Sequence, residues 1–158
     1  MSDDLTLRPV LPGDLPVFFE HQRDPAARFM VAFASEAPPE HEPFMARWAM
    51  QLADPGILAR TIEVNGEIVG NVSHFTQFEK PSIGYWLGRE FWGRKIATRA
   101  VQAFLPMIAA RPLFARVAKD NLASLRVLAQ CGFKIVGEDR DFAGARGQEI
   151  EEFVLSLD

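Results

Sequence analysis

The sequence predicts a single mixed α/β (α+β) domain, with a central sheet of about seven strands and about four flanking helices. Three observations carry this. The 158 residues suffice for one domain, 1–158, with its own core. Hydrophobic residues make up 48% and charged residues 24%, the balance of an ordinary globular chain. Period-two and period-3.6 segments are interleaved rather than segregated, in the order β-α-α-β-β-β-α-β-α-β-β.

Leu5 to Val10 reads as a short strand. Pro12-Gly13-Asp14 is a turn, with Asp14 placed to cap a helix running to about Gln22. Asp24 to Pro43 carries Pro25, Pro38 and Pro39 among apolar residues and reads as a partly helical excursion. Phe44, Trp48 and Leu52 recur at i, i+4, i+8, one face of a helix. Ile57 to Val64 and Glu67 to Phe78 alternate as strands around Asn65-Gly66, the favoured two-residue hairpin turn. Pro81 to Leu87 is the next strand. A helix begins near Arg94 and ends or kinks at Pro106, which lacks an amide and clashes with the preceding turn. Leu113 to Ala118 is a strand. Asn121 to Gln130 is a helix with Leu122, Leu125 and Leu128 on one face and Gly132 closing it. Phe133 to Val136 and Ile150 to Leu157 are the last strands, joined through the loop Gly144 to Gly147.

Charge and composition exclude several classes. The formal net charge is -4, which argues against broad nucleic-acid binding. No apolar run approaches the roughly 20 residues of a membrane helix, and the start MSDDLTLRPV lacks a secretory pattern. One cysteine, Cys131, excludes an internal disulfide framework and suits a reducing, cytoplasmic location. His21 and His41 lack the spacing of a metal site, so no metal is expected. Within this acidic chain, Gly88 to Arg99 holds Arg89, Arg94, Lys95 and Arg99 against Glu90 alone. A compact polyanion suits that excess, and so does a solvated basic helix start.

Two motifs carry candidate chemistry. The first is a strand, then Trp92-Gly93-Arg94-Lys95-Ile96-Ala97-Thr98, then a helix. A helix N-terminus offers free amides and partial positive charge, a natural phosphate site. Gly93 and Ala97 allow close approach, Thr98 offers a hydroxyl, and Arg94 and Lys95 add charge. A turn glycine before an ordinary helix reads the same way. Gly88 to Lys95 is not a nucleotide P-loop, because Arg94 separates the second glycine from the lysine and Ile96 follows it. The second motif is Asn121-Leu-Ala-Ser124 through Cys131-Gly132-Phe133. Here Asn121 reads equally as a helix cap. Cys131 reads as a small core residue rather than a nucleophile.

Together, Gly84 to Ala100 and Asn121 to Phe133 resemble the GNAT superfamily of N-acetyltransferases, and the resemblance covers nearly the whole chain. It looks most like the branch that acetylates protein N-termini, notably of ribosomal proteins. The family signature Gln/Arg-x-x-Gly-x-Gly/Ala maps onto Trp92 to Ala97, with Trp92 first and Ala97 last. Lys95 departs from the usual middle glycine; it either adopts a glycine-like backbone or adds a cation near the pyrophosphate. The resemblance implies acetyl-CoA as co-substrate and a GNAT-like, mostly antiparallel sheet. It implies that the amides from Gly93 to Thr98 hold the pyrophosphate. It implies that Tyr85-Trp86-Leu87 bonds the pantetheine like an added strand, that Asn121 binds the pantetheine arm, and that Ser124 lies near the thioester sulfur.

Direct amine attack needs a neutral amine and a stabilised leaving thiolate. Ser124 is the candidate donor to that thiolate; Tyr85 is on the wrong strand for the role. The strand positions where relatives carry a base are near Pro81 and Ile83, so His74, Glu36 and Glu40 are the remaining candidates, beside a water relay. In relatives the segment holding Phe18, Phe19, Phe29, Phe33, Phe44 and Trp48 walls the acceptor pocket; most of these residues read as core packing and some as the lining of an apolar acceptor channel. The expected partners are acetyl-CoA and an amine acceptor, a protein N-terminus or a small amine, with no nucleic acid and no membrane. C-terminal strands could pair two subunits as a homodimer. The competing readings are a catalytically weak CoA-binding sensor and a fold-sharing protein that binds no CoA.

Overall fold

The computed structural model describes residues 4–34 and 37–158. Seven strands form one sheet in the order β1-β2-β3-β4-β5-β7-β6. In chain order the elements are β1 (Leu5–Pro9), α1 (Leu15–Arg23), α2 (Pro25–Val31), α3 (His41–Ala53), β2 (Leu58–Val64), β3 (Glu67–Gln77), β4 (Lys80–Leu87), α4 (Ile96–Phe104), β5 (Leu113–Ala118), α5 (Leu122–Gln130), β6 (Lys134–Ala143) and β7 (Gln148–Leu157). The helices number five among the described residues, one more than expected, because the 24–43 excursion contributes α2 as a separate element.

All strand pairs are antiparallel except β4 with β5, which run parallel and pair only at Ser82 and Phe114. The β2–β3 hairpin turns at Asn65 (φ 53) and Gly66 (φ 81), both left-handed, as the dipeptide predicts. The next hairpin turns at Phe78 (φ 51) and Glu79 (φ 63). Nothing in Phe-Glu signals such a turn, so β3 stops one residue short of the predicted strand.

Two apolar clusters cover opposite sheet faces. Ile96, Ala97, Ala100, Val101 and Phe104 form the buried face of α4 and join Ile62, Val72 and Leu113 in the main core. Leu15, Phe18 and Phe19 of α1 meet Phe44 and Trp48 of α3 over Ala59. Ala59 and Ile62 lie three residues apart on β2 and therefore point to opposite faces. Phe18, Phe19, Phe44 and Trp48 thus pack in the core, with the Phe18 and Trp48 ring centroids 5.2 Å apart, and Phe44 and Trp48 also border a cavity on this face. Leu52 is 43% exposed and Leu122 is 65% exposed, so each predicted helix face loses one member. Both sit in a terminal turn, beyond the reach of the sheet. Strands β6 and β7 are longer than expected because Glu138, Asp139, Arg140 and Asp141 interrupt any apolar alternation, yet their backbones still pair. β6 is one edge of the sheet and β1 the other.

Asp14 does not cap α1. Its carboxylate is buried and takes bonds from Arg8 Nη1 and Nη2 (2.7 and 2.8 Å), the Leu11 amide (2.8 Å) and Thr61 Oγ1 (2.7 Å). Burial works to raise its pKa, but these donors outweigh it and hold the carboxyl below its usual value. The pair ties β1, β2 and the start of α1 together. Asp14→Asn leaves the Arg8 guanidinium its ion pair with Glu63 but removes the buried charge that gathers four donors. It should cost about 2 kcal/mol and lower the melting temperature by on the order of 5 °C, read by circular dichroism.

Candidate active site

β5 meets β4 only near the start of each strand, so residues 84–87 run on without a strand partner on that edge. Beyond the bridge lies a cleft of about 370 Å³. It is walled by the end of β4, the start of α4, one face of α5, and Ala27, Met30 and Val31 of α2. The sequence gives no sign of this α2 wall.

The α4 end of the cleft is built from a left-handed turn. Gly93 has φ 76, and a Cβ there would meet no protein atom within 4 Å, so backbone conformation, not crowding, requires glycine. Lys95, the N-cap of α4, has φ 61 and ψ 16. Of the two alternatives for this residue, the glycine-like backbone is the one adopted. Its side chain is exposed and also lines the cleft, at a conformational cost of about 1–2 kcal/mol. Trp92 donates its indole N–H to the Leu87 carbonyl (3.2 Å), closing the connection from β4 into the turn. Arg94 lies over the Phe91 ring at 5.9 Å and does not line the cleft. Ile96 and Ala97 are buried and present the first amides of α4. The Thr98 hydroxyl donates to Gln130 Oε1 (3.2 Å), so it holds α4 to α5.

At the other end, Tyr85 Oη and Ser124 Oγ are 2.7 Å apart. Tyr85, set aside from sequence as lying on the wrong strand, therefore reaches the same point as Ser124. The two are 39 residues apart, and only the packing of α5 beside β4 reveals the pair. Burial pushes the Tyr85 phenol up to about 12, and the Ser124 bond opposes that shift only in part. Asn121 caps α5 through Oδ1 to the Ser124 amide (3.3 Å), as the capping reading has it, while Nδ2 donates to the Met30 carbonyl (3.3 Å). Its amide also lines the cleft. Burial raises the Cys131 thiol, whose Sγ lies 3.6 Å from the Thr98 carbonyl, a small packed residue and not an activated thiolate.

The proposed bases are not brought to the cleft. His74 Nδ1 lies 3.0 Å from the Ser82 carbonyl, and the ring lines no cavity described here. β3 carries it past the base of the wedge, where it pairs with Ile83 instead of Tyr85. Glu40 is exposed at the start of α3. Glu36 lies outside the described residues. No group of three potential metal ligands occurs among the described residues.

A second cavity of about 220 Å³ opens on the α1/α3 side of the sheet. It shares Tyr85 and Trp86 with the cleft, so one strand segment separates the two spaces. Trp86 is anchored by its indole N–H to the His21 carbonyl (3.2 Å). The His21 ring is buried against Phe91, its Nδ1 has no partner among the described residues, and burial lowers its pKa.

This seven-stranded sheet, wedged open beside a helix start, belongs to the acyl-CoA-binding class of α/β transferases. The chain is a member of the GNAT acetyltransferase family, whose domain description, "Acetyltransferase (GNAT) domain", matches residues 4–134. An uncharacterized N-acetyltransferase, p20 of Bacillus licheniformis, is 32% identical over 82 residues, covering 49% of this chain and 46% of its own length. The fold is similar to that of a ribosomal-protein-alanine N-acetyltransferase from Brucella melitensis (TM-score 0.81, 19% identity, 96% of this chain and 98% of that one). It is also similar to the microcin C7 self-immunity acetyltransferase MccE, solved with acetyl-CoA and AMP (TM-score 0.78, 19% identity, 99% and 93%).

Acidification should destabilise the fold through His21. Its folded pKa lies below the ordinary value near 6.5, so the unfolded chain takes up the proton first. Stability contributed by the neutral ring is present above about pH 6.5 and falls as pH drops below it, by at most about 1.4 kcal/mol per pH unit. Urea melts between pH 7.5 and 5 should show this slope, and His21→Gln should flatten it.

Proposed function

We propose that the protein is an acetyl-CoA-dependent N-acetyltransferase acting on a primary amine, with Ser124 and Tyr85 assisting departure of the thiolate. One observation carries this: the cleft runs from the α4 N-terminus at one end to the Tyr85–Ser124 hydroxyl pair at the other. Its residues fit an acyl-CoA. The left-handed turn at Gly93 and Lys95 exposes backbone amides and a cation toward a pyrophosphate. The unpartnered edge of Tyr85-Trp86-Leu87 suits an extended amide chain, which can add to it like a strand.

Acetyl-CoA supplies an acyl thioester; attack by a neutral amine forms the C–N bond and breaks the C–S bond. The departing sulfur requires a proton. With its pKa pushed up to about 12, Tyr85 stays protonated at neutral pH and donates to Ser124, whose hydroxyl passes a hydrogen to the thiolate; Tyr85 then regains a proton from water, which balances the one the amine releases. The amine enters through the second cavity, across Tyr85 and Trp86 from the thioester. Asn121 is committed mainly to capping α5 and anchoring α2, so it shapes the channel for the pantetheine arm more than it binds it. No carboxylate or imidazole lines either cavity among the described residues, so the acceptor sheds its proton to water. The same observation favours the second reading, a CoA-binding protein with weak turnover. The fold does not set the acceptor, because one similar fold is a spermidine N-acetyltransferase chimera and another acts, by its name, on a ribosomal-protein alanine.

Millimolar acetyl-CoA should raise the melting temperature, since a ligand at a hundred times its dissociation constant adds about 2.7 kcal/mol. Gly93→Glu, at φ 76, should fold at a conformational cost of about 1–2 kcal/mol, as Lys95 does at φ 61, and lose that shift; no shift in the wild type would overturn the assignment. For turnover, Ser124→Ala and Tyr85→Phe should each lower kcat by about a hundredfold with little change in the KM for acetyl-CoA. The double variant should be no worse than the singles, because the two hydroxyls act as one unit. Coenzyme A release in a thiol assay measures both and separates an enzyme from a binding protein.

A further inference from the structure

The second cavity has a chemistry of its own. Helix α3 presents Phe44, Arg47, Trp48 and Gln51 to it, at i, i+3, i+4 and i+7, one face of the helix. Two of these residues are aromatic and two are polar. From the sheet come Asn71 and Ser73 of β3, with Asn71 paired in register with Trp86.

Among the described residues Arg47 is the only charged side chain on this lining, and no Asp or Glu is among them. A polyamine needs carboxylates to replace the water around its further cationic centres, and none of the described lining residues supplies one. Arg47 itself makes no ion pair among the described residues, leaving its guanidinium fork available for two parallel bonds to a carboxylate.

Asn71 is the second, independent observation. It is 6% exposed, and its side-chain amide makes no hydrogen bond among the described residues. A buried amide left unpaired costs about 1–3 kcal/mol, and such groups in native proteins nearly always have a partner. Yet the Asn71 amide atoms are not sealed in the way His21 Nδ1 is, so the cavity is where that partner would lie. At about 220 Å³ the space is below the roughly 300 Å³ at which drug-sized ligands begin, which sets the scale of a small metabolite.

We propose that, given the acetyltransferase reading above, this cavity selects a small amine that carries a carboxylate, with Arg47 holding the carboxylate and Asn71 the polar group beside it. Phe44, Trp48 and Trp86 pack against the apolar part of the acceptor. The amine then lies toward Tyr85, which with Trp86 is common to both cavities.

Trp48 and Trp86 line the cavity, so tryptophan fluorescence reports occupancy without turnover. The probes are the standard α-amino acids, each matched with its decarboxylated amine, together with spermidine and a short peptide amide with a free N-terminus. At least one amino acid should bind ten-fold or more tightly than its decarboxylated counterpart and more tightly than spermidine or the peptide. Arg47→Met, an exposed substitution, should abolish that ratio while leaving the acetyl-CoA thermal shift intact. Equal affinity of the matched pairs, no binding by any amino acid, preference for the peptide, or a ratio that survives Arg47→Met would each overturn the proposal. Coenzyme A release on the same panel separates the two readings. Release without carboxylate preference sinks the specificity and leaves the enzyme standing. Carboxylate-selective binding with no release from any amine supports the cavity assignment and sinks the transferase.

Discussion

Everything at the site follows from how little β4 and β5 pair. Two parallel strands that stayed in register would close the sheet and fill the space beyond Ser82 with backbone hydrogen bonds. Here one bridge, Ser82 to Phe114, is all that joins them. Past that bridge the edge of β4 has no strand partner, and backbone groups outside a ladder are tolerated in a folded protein only where a side chain, water or a ligand reaches them. The wedge is therefore both a defect in the sheet and the opening of the cleft. The paired halves on either side, β1 to β4 and β5 to β7, supply the rigidity that keeps it open.

A second constraint acts where the chain leaves β4. In the eight residues between Leu87 and Ile96 it must turn back to begin α4 with that helix's first amides toward the cleft. Two left-handed residues, Gly93 and Lys95, make the turn. For a residue with a Cβ, that conformation carries a cost which surrounding packing has to outweigh. Ile96, Ala97, Ala100, Val101 and Phe104 provide the packing, because their burial against the sheet pins α4 in place. Lysine at a glycine position is thus compatible with the turn, and it leaves a cation where a glycine would leave none.

Much of the fold was legible because short-range rules governed it. The Asn65-Gly66 turn, the strand Leu113–Ala118, the cap at Asn121 and the helix ending before Pro106 all obey local chemistry, and all stand where the sequence places them. The misreadings share one cause. Asp14 looked like a cap, but its carboxylate found Arg8 and Thr61, the latter 47 residues away. Phe78 and Glu79 carry no turn signal, and their left-handed turn is imposed by the strands it joins. The β6 and β7 ladder extends through charged residues, since backbone pairing does not require an apolar alternation.

The sequence by itself determined the order of the strands and of every helix but α2, the helix start after the Gly93 turn, and the family to which the chain belongs. These depend on residues close together in the chain. Only the tertiary structure decided that Tyr85 and Ser124 share a hydrogen bond, that His74 stays away from the cleft, that α2 closes one wall, and that Arg47 and Asn71 face a second cavity. Each of these joins side chains from different elements, and their separation in space is set by how the sheet twists and the helices pack. Local periodicity contains no information about that.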